Sequence, residues 1–426
     1  MQNEIGCRLR LRPAIHNADW VNMRVLHLNV LYPPHVRGGA ERFVARLAQQ
    51  QAKRGHTVGV VTLSRTPQGA AVEDGVLVHR IGHGNLFWFE DWEQRSAPMR
   101  YANKLLSNWN PITLARVRSV VADFKPDVIN SHCMLSFAVD SWKAGHERNI
   151  PVVHTLHEFN LICRNTNAYR NGKMCESICL GCRLNVPKRW MSSMVSAVNG
   201  VSDDTLQRHL DMNYFTHIPA DLRKVIWSMP PIDIRERATA PEDRPFTFGF
   251  IGRIVPEKGL DVLLSAVEKL KSPGWRLLVA GSASPPIDLE ELKRRMARLP
   301  VKFLGPVNAA DFYPQIDVLI VPAIWADPGP LVVHEAFANA VPVVGSRMGG
   351  IKDMVEEEMT GWLVDPNDAD ALAHRLQRLV DGGRDALPPT ENFKLFQRTT
   401  TPDQVAEHYE QLYAATIVAN VAQGAD

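Results

Sequence analysis

IWADPGPLVVHEAFANAVPVVGSRMGG, running from Ile324 to Gly350, sets out in order an acid (Asp327), a Pro-Gly-Pro turn, a helix with a second acid (Glu335), a buried strand and a glycine pair. Pro330 suits the first helical position, because it has no N–H to leave unpaired and its φ is already helical. The amides of Leu331, Val332 and Val333 then leave the helix start without intrahelical partners, which makes a ready anion site. Seven residues lie between the two acids, so Asp327 sits in the loop before the helix and Glu335 about one turn inside it. An anion resting on those amides would have a carboxylate on either side to take up hydroxyls.

Working outward, the same alternation of short β-branched runs and amphipathic helices fills the second half of the chain. Strands are expected at Phe246–Ile251, Arg276–Ala280, Val301–Leu304, Asp317–Val321 and Val341–Val344, with helices at Leu260–Leu270, Leu289–Leu299 and Leu331–Asn339. The first half repeats the pattern. Val25–Val30 reads as a strand, and Ala40–Arg54 as a helix with Phe43, Val44, Leu47 and Ala48 at helical spacing. Gly55 ends it, and His56–Thr62, Asp127–Asn130 and Val152–Leu156 read as further strands. Strand-helix alternation of this kind builds parallel α/β sheets. The expected layout is an N-terminal extension over 1–22 without sustained periodicity, a first Rossmann-like domain over 23–228, a Pro- and charge-rich linker over 229–245, a second domain over 246–400, and an amphipathic helix within 401–426. Two such sheets facing each other hold ligands in the cleft where strand C-termini meet.

A length of 426 residues fits two domains, and 45% hydrophobic with 22% charged residues is ordinary for a globular protein. No apolar run reaches the ~18 residues of a membrane span, and no signal peptide is visible, so the expectation is a cytoplasmic protein. The net charge of +2 hides an asymmetry, since residues 23–230 carry 25 Lys or Arg against 16 Asp or Glu. That basic half suits an anionic contact such as a membrane surface, or an acidic second lobe. Basic residues are scattered rather than striped, which argues against a nucleic-acid reader.

Several residues fall just after expected strands and so point at the cleft. Gly38 and Gly39 end the first strand-to-helix loop, where glycine either lets a ligand approach or simply turns the chain. Arg253 and Lys258, in Gly252-Arg-Ile-Val-Pro-Glu-Lys258-Gly259, occupy the equivalent loop of the second domain. Two cations there can neutralise a departing diphosphate, and the competing reading is a solvated loop with a salt bridge to Glu257. With the Pro330 helix start, this is the chemistry of holding a sugar nucleotide. His132 and the pair His157-Glu158 sit at neighbouring strand ends of the basic domain. Cys163, Cys175, Cys179 and Cys182 fall close together, and the last three are spaced for a tetrahedral thiolate site. Structural zinc and reduced thiols both remain open, and disulfides do not suit a cytosolic chain. Asp368 and Asp370 are expected to do no more than open a helix. The cluster Phe87-Trp88-Phe89 with Trp92 reads as core packing before it reads as a lipid contact.

The segments PPHVRGGAERFVARLAQQQAKRGHTVGVVT, DVINSH, FIGRIVPEKG and DPGPLVVHEAFANAVPVVGSRMGG resemble the retaining glycosyltransferases of family 4, over about Met23 to Ala415. The resemblance implies the GT-B fold, with the last helix crossing back onto the first domain. It implies that Gly39 approaches the donor phosphate or the acceptor, that Arg253 and Lys258 bind the diphosphate together with the Gly38, Gly329, Leu331 and Val332 region, and that Glu335 holds the nucleotide ribose. Asp327 would contact the transferred sugar, and His132 would lie near its reacting carbon. In this family the first acid is usually glutamate, so Asp327 alters reach by one methylene. Gly329-Pro330 also stands where Phe-Gly is commoner.

The implied reaction moves a sugar from a nucleotide diphosphate to a glycan or lipid-linked acceptor hydroxyl with retention, and no metal is expected in catalysis. Retention through a covalent intermediate needs a carboxylate nucleophile, and the first domain supplies no obvious one. Same-face attack, with the leaving phosphate taking the acceptor proton, is therefore the expectation. A sugar-nucleotide epimerase and a non-catalytic lobe of a polysaccharide assembly complex are the alternatives.

Overall fold

The computed structural model describes residues 22–106, 108–170, 173–175, 179, 182, 186–229, 236–237, 241, 243–284, 286–397 and 401–423. The expected extension over 1–22, apart from Asn22, and most of the linker over 229–245 lie outside them.

The first domain is built on strands β1 (Arg24–Asn29), β2 (Thr57–Ser64), β3 (Gly69–Glu73), β4 (Val76–Gly82), β5 (Val128–Ser131) and β6 (Val152–Leu156). A ribbon of β7 (Tyr169–Arg170) and β8 (Lys173–Met174) precedes β9 (Ala197–Gly200) and β10 (Arg223–Val225). The sheet order is β10-β9-β6-β5-β1-β2-β4-β3, parallel except where β3 turns back on β4. The order reverses at β1, which pairs with both β2 and β5, so the loops leaving β1 and β5 diverge there and open a crevice. The sequence does not announce β3, because its residues are mostly exposed and offer no alternating apolar face.

The second domain uses β11 (Phe246–Ile251), β12 (Trp275–Ala280), β13 (Val301–Gly305), β14 (Val318–Val321), β15 (Val343–Ser346) and β16 (Gly361–Val364). Their order is β13-β12-β11-β14-β15-β16 and every pairing is parallel. The reversal falls between β11 and β14, which places the loop carrying Arg253 and Lys258 beside the loop carrying Asp327. Apart from Thr247, both strands are built of apolar residues and glycine, as burial on both faces of a parallel sheet demands.

The helix Pro402–Gln423 packs on the first domain, where Val405, Ala406, Tyr409, Leu412 and Tyr413 join the core of the first sheet. Its two tyrosines are buried, and each hydroxyl accepts a hydrogen bond from a strand asparagine. Asn130 Nδ2 reaches Tyr413 at 2.6 Å and Asn199 Nδ2 reaches Tyr409 at 2.7 Å. Arg54 closes the edge on Glu410 at 2.9 Å. The two domains also touch directly. Lys352 Nζ meets Asp204 Oδ1 at 2.9 Å, and the Asp204 amide donates to Asp353 Oδ2 at 3.0 Å.

Candidate active site

On the second-domain side, the loop after β11 folds as a short turn, Pro256–Lys258, and lies against the loop after β14. The Ile324 amide donates to the Glu257 carbonyl at 3.0 Å. Lys258 Nζ forms an ion pair with Asp327 Oδ2 and sits 5.8 Å from the Trp325 ring centre. The bridge to Glu257 considered above is thus not the one made; Lys258 turns inward to the acid. Asp327 is buried, and its carbonyl accepts from the Gly350 amide at 2.8 Å. The glycine pair has a steric cause. Gly349 has φ +57, and a Cβ there would stand 2.7 Å from Asp327 backbone atoms. Arg253 is exposed and has no protein partner among the described residues.

The helix after Asp327 runs Leu331–Ala338, with Pro330 as its cap in extended geometry rather than as its first residue. The reading from sequence is corrected by one position, and the amide count changes with it. Val333 N–H donates to the Pro330 carbonyl at 3.0 Å, a tight first turn that satisfies it. Leu331 and Val332 keep amides without backbone partners among the described residues. Glu335 is buried one turn on, with Tyr313 donating to its Oε2 at 3.0 Å. Burial raises its carboxyl, while Tyr313 and the Arg46 and Arg42 guanidiniums of the first domain hold it down.

The first-domain side begins with the helix Gly39–Lys53. A Cβ on Gly39 would lie 2.9 Å from Leu331 Cδ1, so this glycine allows the two helix starts to meet across the cleft. The Gly38 amide is already taken by Glu41 Oε2 at 2.9 Å. Gly329 in turn packs on Val201, which a Cβ would approach at 3.1 Å. Arg46 follows Arg42 by one turn, and its buried Nη1 has no hydrogen-bond partner among the described residues.

Behind Gly39 lies a row of imidazoles. Gln51 Oε1 faces His27 Nε2 at 2.8 Å, His27 Nδ1 faces His132 Nε2 at 3.0 Å, and His132 Nδ1 faces His157 Nε2 at 3.0 Å. With the Gln51 amide assigned this way, its carbonyl can only accept, so each ring in turn donates from Nε2 and accepts at Nδ1. The row ends on His157, whose Nδ1 lone pair has no partner among the described residues. Burial pushes His27 down to about 4 and His157 down to about 3, and it holds His132 well below the usual range with the neighbouring rings adding to the effect. At neutral pH these are neutral hydrogen-bonding rings. His132 therefore has both nitrogens occupied, and His157, partly exposed, stands at the open end.

The residues singled out from sequence thus separate into groups. Lys258 with Asp327, and Gly39 with Leu331, are in contact; Val332 and Glu335 follow on the same helix. His132 stands behind His157 in the imidazole row. Asp368 is a helix cap, its Oδ1 accepting from the Ala371 amide at 2.8 Å, and Phe87 and Trp88 are buried. Cys163, Cys175, Cys179 and Cys182 line one cavity, although no three His, Cys, Asp or Glu side chains stand gathered as a metal site among the described residues. Reasoning from sequence missed Tyr313, Gln51, His27, Arg42 and Arg46. The arginines offered a signal, being one turn apart on a helix that opens at Gly39 toward the cleft. His27 and Gln51 offered none, since their meeting depends on how β1 packs under that helix.

Residues 245–382 match the family model for glycosyl transferases group 1, and residues 37–174 match that for Glycosyltransferase Family 4. The D-inositol 3-phosphate glycosyltransferase of Corynebacterium glutamicum is 26% identical over 440 residues, covering 92% of this chain and 97% of the relative. Sucrose-phosphate synthase from Thermosynechococcus elongatus superposes with a TM-score of 0.71 at 19% identity, over 93% of this chain and 99% of that one. HepE of Anabaena, solved with UDP and glucose, gives a TM-score of 0.63 at 18% identity, over 92% of this chain and 100% of that one. Matched in this way in both halves, the chain belongs to the group 1, family 4 glycosyltransferases and has their GT-B fold.

Proposed function

We propose that this protein is a retaining glycosyltransferase that moves a sugar from a nucleotide diphosphate to a hydroxyl of a glycan or lipid-linked acceptor in polysaccharide or glycoconjugate synthesis. The observation that carries this reading is the meeting of Gly39 with Leu331, which sets the Leu331 and Val332 amides, without backbone partners among the described residues, opposite the first domain. In this reading the diphosphate rests on those amides, and Arg253 and Lys258 balance the charge that grows on the leaving oxygen. Lys258 must then divide itself between Asp327 and phosphate, while Asp327 takes a sugar hydroxyl. Glu335, steadied by Tyr313, takes the ribose hydroxyls.

The imidazole row supports same-face attack over a covalent intermediate. Neutral rings with strongly lowered basicity accept hydrogen bonds but do not remove protons well at neutral pH. Glu158, next to His157, is pushed up to about 7 by burial, so it is only partly ionised at neutral pH. The leaving phosphate is then the base that takes the acceptor proton, and His157 positions a hydroxyl of donor or acceptor. No divalent ion is given a catalytic part.

A cytoplasmic site of action at the membrane face fits the exposed apolar side chains of Leu105, Trp109 and Ile112. No helix among the described residues is long and apolar enough to cross a membrane.

The test is a panel of nucleotide sugars screened by thermal shift, followed by transfer assays in which the product anomer is read by NMR. The reading expects one donor class to stabilise the protein and the product to keep the donor's anomeric configuration. An isomerised nucleotide sugar formed without acceptor would make this an epimerase. Binding without turnover on any acceptor would make it a non-catalytic lobe.

A further inference from the structure

Between β6 and the helix Val186–Met191 the chain leaves the first sheet, and the strands described there are β7 and β8, two residues each. A ribbon so short does not hold itself together in water. Even so, it supports the site described above: Met174 Sδ accepts from the Ala326 amide at 3.2 Å, one residue before Asp327. Its backbone pairing does not account for the rigidity that such a contact needs.

The cysteines supply a means. Cys163 precedes the ribbon, Cys175 follows β8 directly, and Cys179 and Cys182 come next. With Ile162, Ala168 and Met212 they line one cavity of about 10 Å³, about the room that one small particle requires. None of the described cysteines forms a disulfide. The backbone around them presents the sulfurs inward. Cys182 N–H donates to the Cys179 carbonyl at 2.9 Å, and Cys175 N–H to the Ala168 carbonyl at 2.7 Å. The Asn165 amide donates to Cys163 Sγ at 3.3 Å, as amides do to thiolate ligands. A cation lies alongside. Lys188 is buried, its Nζ held by the Asn160 carbonyl and Oδ1 at 3.0 Å each. Four thiolates around a divalent ion carry a net charge of 2−, which a buried ammonium partly offsets.

We infer that Cys163, Cys175, Cys179 and Cys182 bind one zinc ion as four thiolates, and that this ion fixes the β7–β8 ribbon against the loop that carries Asp327. The sulfurs line the cavity without being gathered to coordination distance, so binding draws the side chains inward to Zn–S bonds of about 2.3 Å. Each thiol gives up its proton to solvent as its bond to zinc forms.

The experiment is elemental analysis of the full chain, purified without chelator and without a metal-affinity tag, beside the Cys175→Ser/Cys179→Ser variant. The expected result is about one zinc per chain in the native protein, lost from the variant. Replacement by cobalt(II) should give the visible absorption of tetrahedral thiolate coordination. Zinc below about a tenth of an equivalent would overturn the inference, as would iron in its place or disulfides among these cysteines in the mass spectrum. Because the native protein alone decides the metal content, a variant that fails to fold does not blunt the test.

Discussion

Gln51→Leu tests whether the imidazole row depends on its buried end. Leucine keeps about the same volume, so little cavity is opened. What is lost is the acceptor 2.8 Å from His27 Nε2, on a ring that is 0% exposed. An N–H orphaned there costs about 1–3 kcal/mol. For a domain near 200 residues each kcal/mol moves Tm by about 2–4 °C, so a loss near the middle of that range lowers it by roughly 4–8 °C. Without an obligatory acceptor the row can also run the other way, and His157 then presents N–H instead of a lone pair. Turnover should fall more than donor affinity. Gln51→Glu supplies the control. A carboxylate facing His27 favours its charged form and raises it from about 4. A more basic His27 binds its proton in the folded state at a higher pH in Gln51→Glu than in Gln51→Leu, so the gap between the two variants should widen from pH 7 to pH 5. Thermal melts across that range, with steady-state kinetics on an identified donor, make the measurement. If Gln51→Leu melts within a degree of wild type and the gap stays flat with pH, the row is not organised from Gln51.

Three further outcomes are expected. Lys258→Ala and Asp327→Ala should each lower kcat/KM by roughly 10²–10³-fold; in a double-mutant cycle their effects should fall short of additive by about 0.5–3 kcal/mol, whereas strict additivity would deny that the pair acts together. Arg253→Ala should leave stability within about 0.5 kcal/mol, because the side chain is exposed, while donor turnover collapses; unchanged kinetics would remove Arg253 from the site. Acid should loosen the fold before carboxylates titrate. His154, His209 and His334 are buried and pushed down to about 3, 4 and 3, so the unfolded chain binds more protons below about pH 6.5 and each residue withdraws roughly 1.4 kcal/mol by pH 5.5. Asp140, raised to about 6 by burial, opposes part of that loss. Urea midpoints that do not move between pH 7.5 and 5.5 would count against neutral buried rings.

The sequence displayed the second domain more plainly than the first. Strands such as Phe246–Ile251 and Val318–Val321 are short, almost wholly apolar and buried, and the loops that follow them carry their chemistry within a few residues. Asp327 and Glu335 lie close in the chain, and Lys258, 69 residues from Asp327, follows a strand whose place beside β14 brings the two loops together. The error of one position at Pro330 came from weighing its fitted φ above its ability to cap in extended geometry. The first domain was harder because its site is assembled from distant strands. His27, His132 and His157 come from β1 and the loops after β5 and β6, and only the sheet order sets them in a row. Arg46 lay hidden for another reason, since on a helix surface a cation is ordinarily solvated. Strand β3 carries no hydrophobic alternation at all, and its place comes from pairing with β4.

The last helix has a consequence for how the molecule is made. Tyr409 and Tyr413 fill the underside of a domain whose first strand begins near residue 24, so roughly 380 residues must be synthesised between the two halves of one core. A domain emerging from the ribosome ordinarily completes itself before the next one starts. Here the leading domain waits, with Asn130 and Asn199 lacking their tyrosine partners, until the helix Pro402–Gln423 has been made. Loss of the helix Pro402–Gln423 would therefore injure the part of the protein that was made first.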